Sequence, residues 1–332
     1  MVAAIESMAY EKSQVPWHGL GVQVKSDLSP AQILKAAGLN WTVSKQKMVL
    51  QDKPKIVIPD KFALCRDSDN AVLSVVGKVY RPVQNKDAMD FFKKFTEAGH
   101  MTMETAGALW DGRYIWGLAR VGQDFKLGKD DEVRGFLLLS SPHVHGKAMV
   151  IQFTPIRVVC WNTLSMALGV DLKGKGSAFR MPHTQEFNDA MKVRAEEALG
   201  LAKEQMVEFR EACEVLSKKK AKPDQVEEYF CEVVNFDPKA TDVKKKKGKK
   251  KGDKDVVKEP RILPKFRKAL TYAPGQQLPT SLGTWWGAYN AVSYTIDHSI
   301  GRNRDTALRN AWMGHQASVK RKAFSLALKR AA

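Results

Sequence analysis

The spacing of apolar residues changes near Thr184, and this change constrains the fold more than any other feature of the sequence. Between residues 41 and 154 the chain carries short β-branched or alternating runs, separated by Pro, Asp, Asn and Gly. Such runs are typical of antiparallel strands joined by turns. From Thr184 to about Lys220 apolar residues recur every three or four positions among Glu, Lys and Arg, which indicates a long amphipathic helix. We therefore predict an α+β fold, with an antiparallel β-rich N-terminal region followed by a helical C-terminal region.

Two short helices are expected inside or beside the β-rich region. The first has Ser29 as its N-cap and Pro30 at the first helical position, and it ends at Gly38. The second covers residues 85–99, with Asn85 as its cap and an apolar face. The second helix is thus embedded between groups of predicted strands, and four more strands are expected between it and the long helix.

The pattern divides the chain into four segments. A β-rich α+β core is expected over residues 1–183, amphipathic helices over 184–235, a disordered lysine-rich loop over 236–261, and a helical region that packs on the core over 262–332. The loop assignment depends on Lys244 to Lys251, which hold seven lysines in eight positions. Charges this dense repel one another, so the run cannot fold alone.

The basic charge is concentrated in the C-terminal part of the chain. The formal net charge is +18, yet residues 1–217 hold 28 Lys and Arg against 25 Asp and Glu. Basic proteins attract polyanions in a salt-dependent way, and this favours nucleic acid as the partner class. The lysine run would add nonspecific attraction without recognition. The residues assigned to this accessory role are Lys244, Lys245, Lys246, Lys247, Lys249, Lys250 and Lys251.

Polar residues in an apolar segment give the first candidate site. Arg157 and Asn162 follow a strand expected to end at Thr154 and Pro155, among Ile, Val, Cys, Trp and Leu. In a functional interpretation, Arg157 grips a phosphate, while Asn162 and Thr163 bond to backbone or sugar oxygens of a nucleic acid. In a structural interpretation, the Arg and Asn are buried and satisfy loop carbonyls. The sequence leaves both open.

Further cations alternate with aromatic residues around this segment. Basic side chains beside aromatic rings fit a groove for a single strand, because cations follow the phosphates and rings stack on bases. An alternating strand also places basic residues toward solvent and aromatic residues in the core, so this second explanation stays open. The candidate nucleic-acid-binding cations are Arg113, Arg120, Arg134, Lys147, Lys173, Lys175 and Arg180, and the aromatic residues are Tyr114, Trp116, Phe136 and Phe179.

The sequence shows little that indicates catalysis. His143 and His145 would face one side of an extended chain as half of a metal site, but no partner follows at ligand spacing. The four cysteines are widely spaced, and Cys160 reads as a core thiol. We therefore expect no enzymatic activity, no cofactor and no bound metal. No apolar run is long enough to span a membrane, so a cytoplasmic protein is expected.

Several separated motifs carry a family resemblance. The segments PWHGLG, RVVCWNTL, GTWWGAYNAVSYTIDH and GHQASVKRKAFSLAL occur in this order along the chain. Together they resemble the phage/plasmid-like protein family, domain of unknown function 932. The resemblance implies a phage or plasmid protein in the cytoplasm of a bacterial host, and it implies no reaction. The lysine run lies between the matching segments, as an insertion would.

Two functional hypotheses follow. The first is a nucleic-acid-binding protein, with single-stranded DNA as the expected partner, that acts in recombination or replication. The predicted fold is similar in outline to the annealing proteins of phages, which form rings, so a homo-oligomer is expected; this is an analogy of folds alone. The alternative is a non-enzymatic protein that binds a host or phage protein through Trp285, Trp286 and Trp312.

Overall fold

The computed structural model describes residues 5–11, 22–24, 28–122, 124–159, 162–163, 178–238, 258–300 and 314–332. Twelve strands precede the long helix in these ranges. They are β1 (Ile5–Glu11), β2 (Val22–Val24), β3 (Val43–Leu50), β4 (Lys53–Arg66), β5 (Val72–Gly77), β6 (Thr102–Leu109), β7 (Tyr114–Arg120), β8 (Phe125–Leu127), β9 (Asp131–Pro142), β10 (Ala148–Arg157), β11 (Asn162–Thr163) and β12 (Ala178–Pro182).

The larger sheet contains nine of the described strands. Its order is β11-β10-β9-β7-β6-β1-β2, with β12 also paired to β10 and β8 also paired to β9. The pairs are antiparallel except β1 with β2. The strands predicted over residues 102–154 are therefore present, and they form the centre of this sheet.

The smaller sheet has the order β3-β4-β5 and is antiparallel. Its inner face contributes buried residues such as Leu64, Leu73 and Val76 to the main core. Several apolar side chains elsewhere on the same sheet are exposed, and the described examples are Val49, Leu50, Ile56, Val57, Val72 and Val75.

Of the two helices predicted in the first half, one forms as expected and the other does not. Helix α1 (Pro30–Ala36) has a capping box, in which Gln32 N donates to Ser29 Oγ and Ser29 N donates to Gln32 Oε1. The single helix predicted over residues 85–99 is wrong. The chain forms α2 (Asn85–Asp90) and α3 (Lys93–Glu97), separated by a turn.

The prediction that Asn85 caps this helix is also wrong. Asn85 is the first residue of α2 and not its cap, and its side chain is buried. Its Nδ2 donates to the carbonyl oxygens of Leu39 and Trp41, so the amide binds the preceding chain instead of the helix terminus.

Helices dominate the chain after residue 183, as the sequence predicts. The described ones are α4 (Asp189–Lys218), α5 (Pro223–Val233), α6 (Leu263–Tyr272), α7 (Trp285–His298) and α8 (His315–Ala331). None of the described helices is both long enough and apolar enough to cross a membrane.

The helices pack on one face of the larger sheet. Helix α4 contacts β8, β10 and β12, while α7 and α8 contact α4. Alternate residues of the central strands, such as Ile115, Leu137 and Ile151, enter the core on this face. The opposite face of the same strands forms a second buried cluster, which contains Trp116 and Leu138. The α+β prediction, with its β-rich half followed by helices, is thus confirmed.

Candidate nucleic-acid interface

Arg157 lies at the end of β10 and its side chain is completely buried. Its Nε is 2.6 Å from Asp131 Oδ1 and its Nη2 is 2.7 Å from Asp131 Oδ2, so the two groups form a bidentate ion pair. The exposed fractions of these side chains are 0% and 1%. A buried charge requires a close partner of opposite sign, and Asp131 supplies it.

The loop and helix that follow α6 complete the environment of this pair. Asp131 Oδ2 accepts from Thr280 Oγ1 at 2.7 Å and from Trp286 Nε1 at 2.9 Å. Arg157 Nη2 donates to Ser281 Oγ at 2.7 Å, and its guanidinium lies 5.5 Å from the ring of Trp286. The cluster therefore joins β9 and β10 to the N-terminal end of α7.

This arrangement removes Arg157 from the candidate interface. The strand was expected to end at Thr154 and Pro155, but β10 continues to Arg157, which pairs with Asn162 of β11. That register holds the guanidinium on the helix-covered face of the sheet, where its Nε and Nη2 donate to Asp131, Ser281 and the carbonyl oxygen of Gly275. The structural interpretation of Arg157 accounts for these contacts, whereas a phosphate could not reach the group without opening the core. Thr163 pairs with Ile156 in the same ladder.

Two predicted cations lie on the other face of the sheet, near the same end as Arg157, and each has a carboxylate partner. Arg120 binds Asp124, and Arg134 Nε lies 2.7 Å from Glu132 Oε1. Arg134 lowers the pKa of Glu132, chiefly through the hydrogen bond between them. Neutralised arginines attract phosphate weakly, so this end of the sheet is a poor interface.

Three other predicted cations lie at the opposite end of the sheet. Tyr114 at the start of β7 pairs with Pro142 at the end of β9, and Ala148 at the start of β10 pairs with Pro182 of β12. The β6–β7 turn, the β9–β10 turn and β12 therefore meet there, about 20 Å from the end that holds the paired arginines. We name this the hairpin-end surface, and it consists of Arg113, Lys147 and Arg180.

The hairpin-end surface is exposed to solvent. All three side chains are exposed, and none forms an ion pair with a carboxylate in the part of the chain that the structure describes. Arg321 of α8 adds a fourth positive charge. Burial lowers the pKa of Arg321, and the positive charge of Arg180 lowers it further.

The aromatic residues predicted to alternate with these cations are not available for stacking on bases. Tyr114, Trp116 and Phe136 are buried in the second apolar cluster of the larger sheet. Phe179 is partly buried and packs against the main core. The strand period places these rings inside the protein, in agreement with the second explanation left open by the sequence.

Some predicted residues lie outside the described ranges. They are Lys173, Lys175, Cys160, Trp312 and the lysine run from Lys244 to Lys251. The loop predicted over residues 236–261 lies mostly outside them as well.

The two histidines predicted to face one side do not do so. The chain turns after Pro142, so His145 is exposed while His143 is buried with its Nε2 2.8 Å from Asn85 Oδ1. Burial lowers the pKa of His143 to about 3, with a smaller effect from His183. Among the described residues, no three His, Cys, Asp or Glu side chains are grouped closely enough to hold a metal ion.

Sequence reasoning missed two features of the C-terminal helices. Lys320 of α8 is buried, with its Nζ 2.8 Å from Asp297 Oδ1. A pocket of about 410 Å³ also lies between α6 and α7, and we name it the α6–α7 pocket. The sequence contains a weak indication of this pocket, because Lys265, Lys268 and Tyr272 are spaced by three and four residues and so share one face of α6.

Comparison with known proteins places the chain in a family of unknown function. The family described as Domain of unknown function (DUF932) matches residues 72–320, which is more than half of the 332 residues. The chain belongs to the DUF932 family. The match includes the buried Asp131–Arg157 cluster, the hairpin-end surface and the α6–α7 pocket, so all three lie within the DUF932 region. No curated protein and no solved structure matches the chain.

Proposed function

We propose that this DUF932 protein binds nucleic acid, with single strands as its preferred form. The observation that carries the proposal is the hairpin-end surface, where exposed cations from three neighbouring segments stand without carboxylate partners in the described structure. Exposed cations on adjoining segments, without bound carboxylates, are typical of a surface that binds phosphates.

The rest of the chain supports the same assignment. The formal net charge of +18 raises the local concentration of any polyanion, and the lysine run adds attraction that depends strongly on salt. We infer a binding protein of a phage or plasmid, acting in the cytoplasm of its host in annealing, recombination or replication. Self-association would place several hairpin-end surfaces along one strand and would strengthen binding through multivalency.

Salt-dependent binding of short oligonucleotides tests the proposal. Fluorescence anisotropy of labelled single-stranded DNA, duplex DNA and RNA should be measured between about 50 and 200 mM salt. We expect the tightest binding for a single strand. Absence of binding to every nucleic acid at the lowest salt would refute the proposal.

A matched pair of variants locates the interface. Arg113→Gln with Arg180→Gln removes two unpaired cations, so the slope of log affinity against log salt should fall by about 1.4. Arg120→Gln with Arg134→Gln removes two cations that carboxylates already neutralise, so its effect on the slope should be smaller. Equal reductions of the salt slope in the two double variants would show that the hairpin-end surface is not the nucleic-acid interface.

A protein partner is the second candidate, and one observation favours it. Trp285 and Trp286 cannot anchor a partner, because both are buried in the core. The smaller sheet instead exposes Ile56 and Val57 near the end of its β3–β4 hairpin. Sedimentation velocity of the wild type and of Ile56→Lys with Val57→Lys tests this surface. Loss of self-association in the variant, with no nucleic-acid binding in the wild type, would favour a protein-binding function in which a second copy of the chain is the partner.

A further inference from the structure

The α6–α7 pocket offers two lysines that no carboxylate neutralises in the described structure. Lys265 Nζ donates to the carbonyl oxygen of Ser299 at 2.8 Å, which holds its ammonium group at the rim. Lys268 is exposed one turn further along α6. Two carboxylates beside α6 bind a different residue of this helix, since Glu227 and Glu259 both pair with Arg267. None of the described residues that line the pocket is acidic.

The walls of the α6–α7 pocket are aromatic. Tyr272 is 77% exposed, which leaves most of its ring in water beside the lysines. Tyr294 forms another wall, with its ring 4.6 Å from the ring of His298. Ala269 and Ala273 are buried below them and give the pocket a small apolar floor. A flat ring with a free face is suited to stacking on a planar ligand.

The ligand must combine a negative charge with a planar apolar group. A phosphate satisfies the two ammonium groups, and a nucleobase stacks on a tyrosine with little dependence on its identity. A volume of about 410 Å³ lies in the usual range of sites for small molecules, so one nucleotide is an appropriate size.

We propose that the α6–α7 pocket binds one nucleotide unit of a single-stranded nucleic acid. The base stacks on Tyr272, and Lys265 and Lys268 hold the adjacent phosphate. This inference rests on the proposed function and adds a site where bases are contacted, which the hairpin-end surface lacks because the aromatic residues beside it pack against the apolar clusters of the sheet.

Anisotropy measurements with labelled oligothymidylate test the pocket. Tyr272→Ala should weaken binding roughly 5- to 100-fold, whereas Tyr272→Phe should bind like the wild type because it keeps the ring. Lys265→Gln with Lys268→Gln should reduce the salt slope by about 1.4. The control variant is Lys53→Gln with Lys55→Gln, which removes the same charge from two exposed positions on the smaller sheet. Its slope should change less.

The outcomes separate failure of the pocket from failure of the proposed function. If the wild type binds no oligonucleotide, the proposed function fails and the pocket inference falls with it. If the wild type binds and Tyr272→Ala binds equally well, only the pocket inference fails. Equal slopes for the two lysine pairs would overturn it as well. Because Tyr272 is largely exposed, its variants should fold normally, and thermal unfolding curves check this.

A free nucleotide is the other source of the same chemistry. Isothermal titration calorimetry with thymidine 5′-monophosphate distinguishes the two. A strand makes further phosphate contacts, so the mononucleotide should bind much more weakly than the oligonucleotide. Equally tight binding, lost in Tyr272→Ala, would overturn the assignment to single strands and indicate a nucleotide-binding site.

Discussion

Removal of Arg157 should destabilise the protein far more than removal of its neighbour Arg134. Both arginines bind a carboxylate of β9 at 2.6 to 2.7 Å. The exposed fractions differ, at 0% and 1% for Arg157 and Asp131 against 20% and 27% for Arg134 and Glu132. The two pairs therefore form a matched comparison between a buried and a partly exposed ion pair.

The expected magnitudes follow from burial. Arg157→Met leaves the Asp131 carboxylate charged inside the core, and breaking a buried pair in this way costs about 3 to 5 kcal/mol. Asp131→Ala should cost at least as much, because Trp286 Nε1 and Thr280 Oγ1 lose their acceptor at the same time. Arg134→Met breaks a pair that water can replace and should cost about 1 kcal/mol or less.

Urea denaturation followed by circular dichroism measures these free energies of unfolding. The double variant Asp131→Ala with Arg157→Met removes both charges, so its loss should be at least about 2 kcal/mol smaller than the sum of the single losses. The reasoning is refuted if Arg157→Met costs no more than Arg134→Met, or if the double variant is additive. Any loss of oligonucleotide binding by Arg157→Met should match its unfolded fraction, since the guanidinium does not reach solvent.

Three further perturbations test other parts of the structure. Burial lowers the pKa of His143 to about 3, so only the unfolded state takes up a proton at this residue as the pH falls below about 6.5. The free energy of unfolding should therefore fall by about 2 kcal/mol between pH 7 and pH 5. Urea denaturation of His143→Gln should lack this part of the pH dependence. A Cβ at Gly287 would lie 2.1 Å from the carbonyl oxygen of Ser281, so Gly287→Ala should unfold at a lower denaturant concentration than the wild type. Gly77→Ala is the control, because a Cβ there meets open space, and it should unfold at the same concentration as the wild type. Deletion of Lys244 to Lys251 should lower nonspecific affinity at low salt and leave the far-ultraviolet spectrum and selective binding unchanged; a lost spectrum would contradict the accessory role.

The placement of the predicted cations shows where sequence reasoning ends. The direction of side chains along a strand repeats every two residues, so the sequence assigns neighbouring residues to opposite faces of the sheet. It does not show which of the two faces another element covers. Arg157 faces the helices and is buried, while Arg180 is exposed. Their different roles depend on Asp131 and on the chain around Ser281, which are 26 and 124 residues away from Arg157.

In the helical half, the sequence likewise does not predict which residues neighbouring helices bring together. The periodicity of α8 predicts an apolar stripe with solvated lysines around it, yet Lys320 is buried against Asp297 of α7. The α6–α7 pocket requires two helices to lie side by side, and its tyrosines come from both. Contacts between helices depend on packing angles and distances, which no local pattern encodes.

The sequence alone determined the α+β class, the strands of the central sheet, the capped start of α1 and the basic C-terminal half, because backbone propensity, periodicity and charge are local properties. Only the tertiary structure decided which charges are neutralised, which rings are buried and which surfaces remain for a ligand. These are properties of pairs of groups distant in the chain, and burial changes the free energy of a charge by more than its sequence neighbours do.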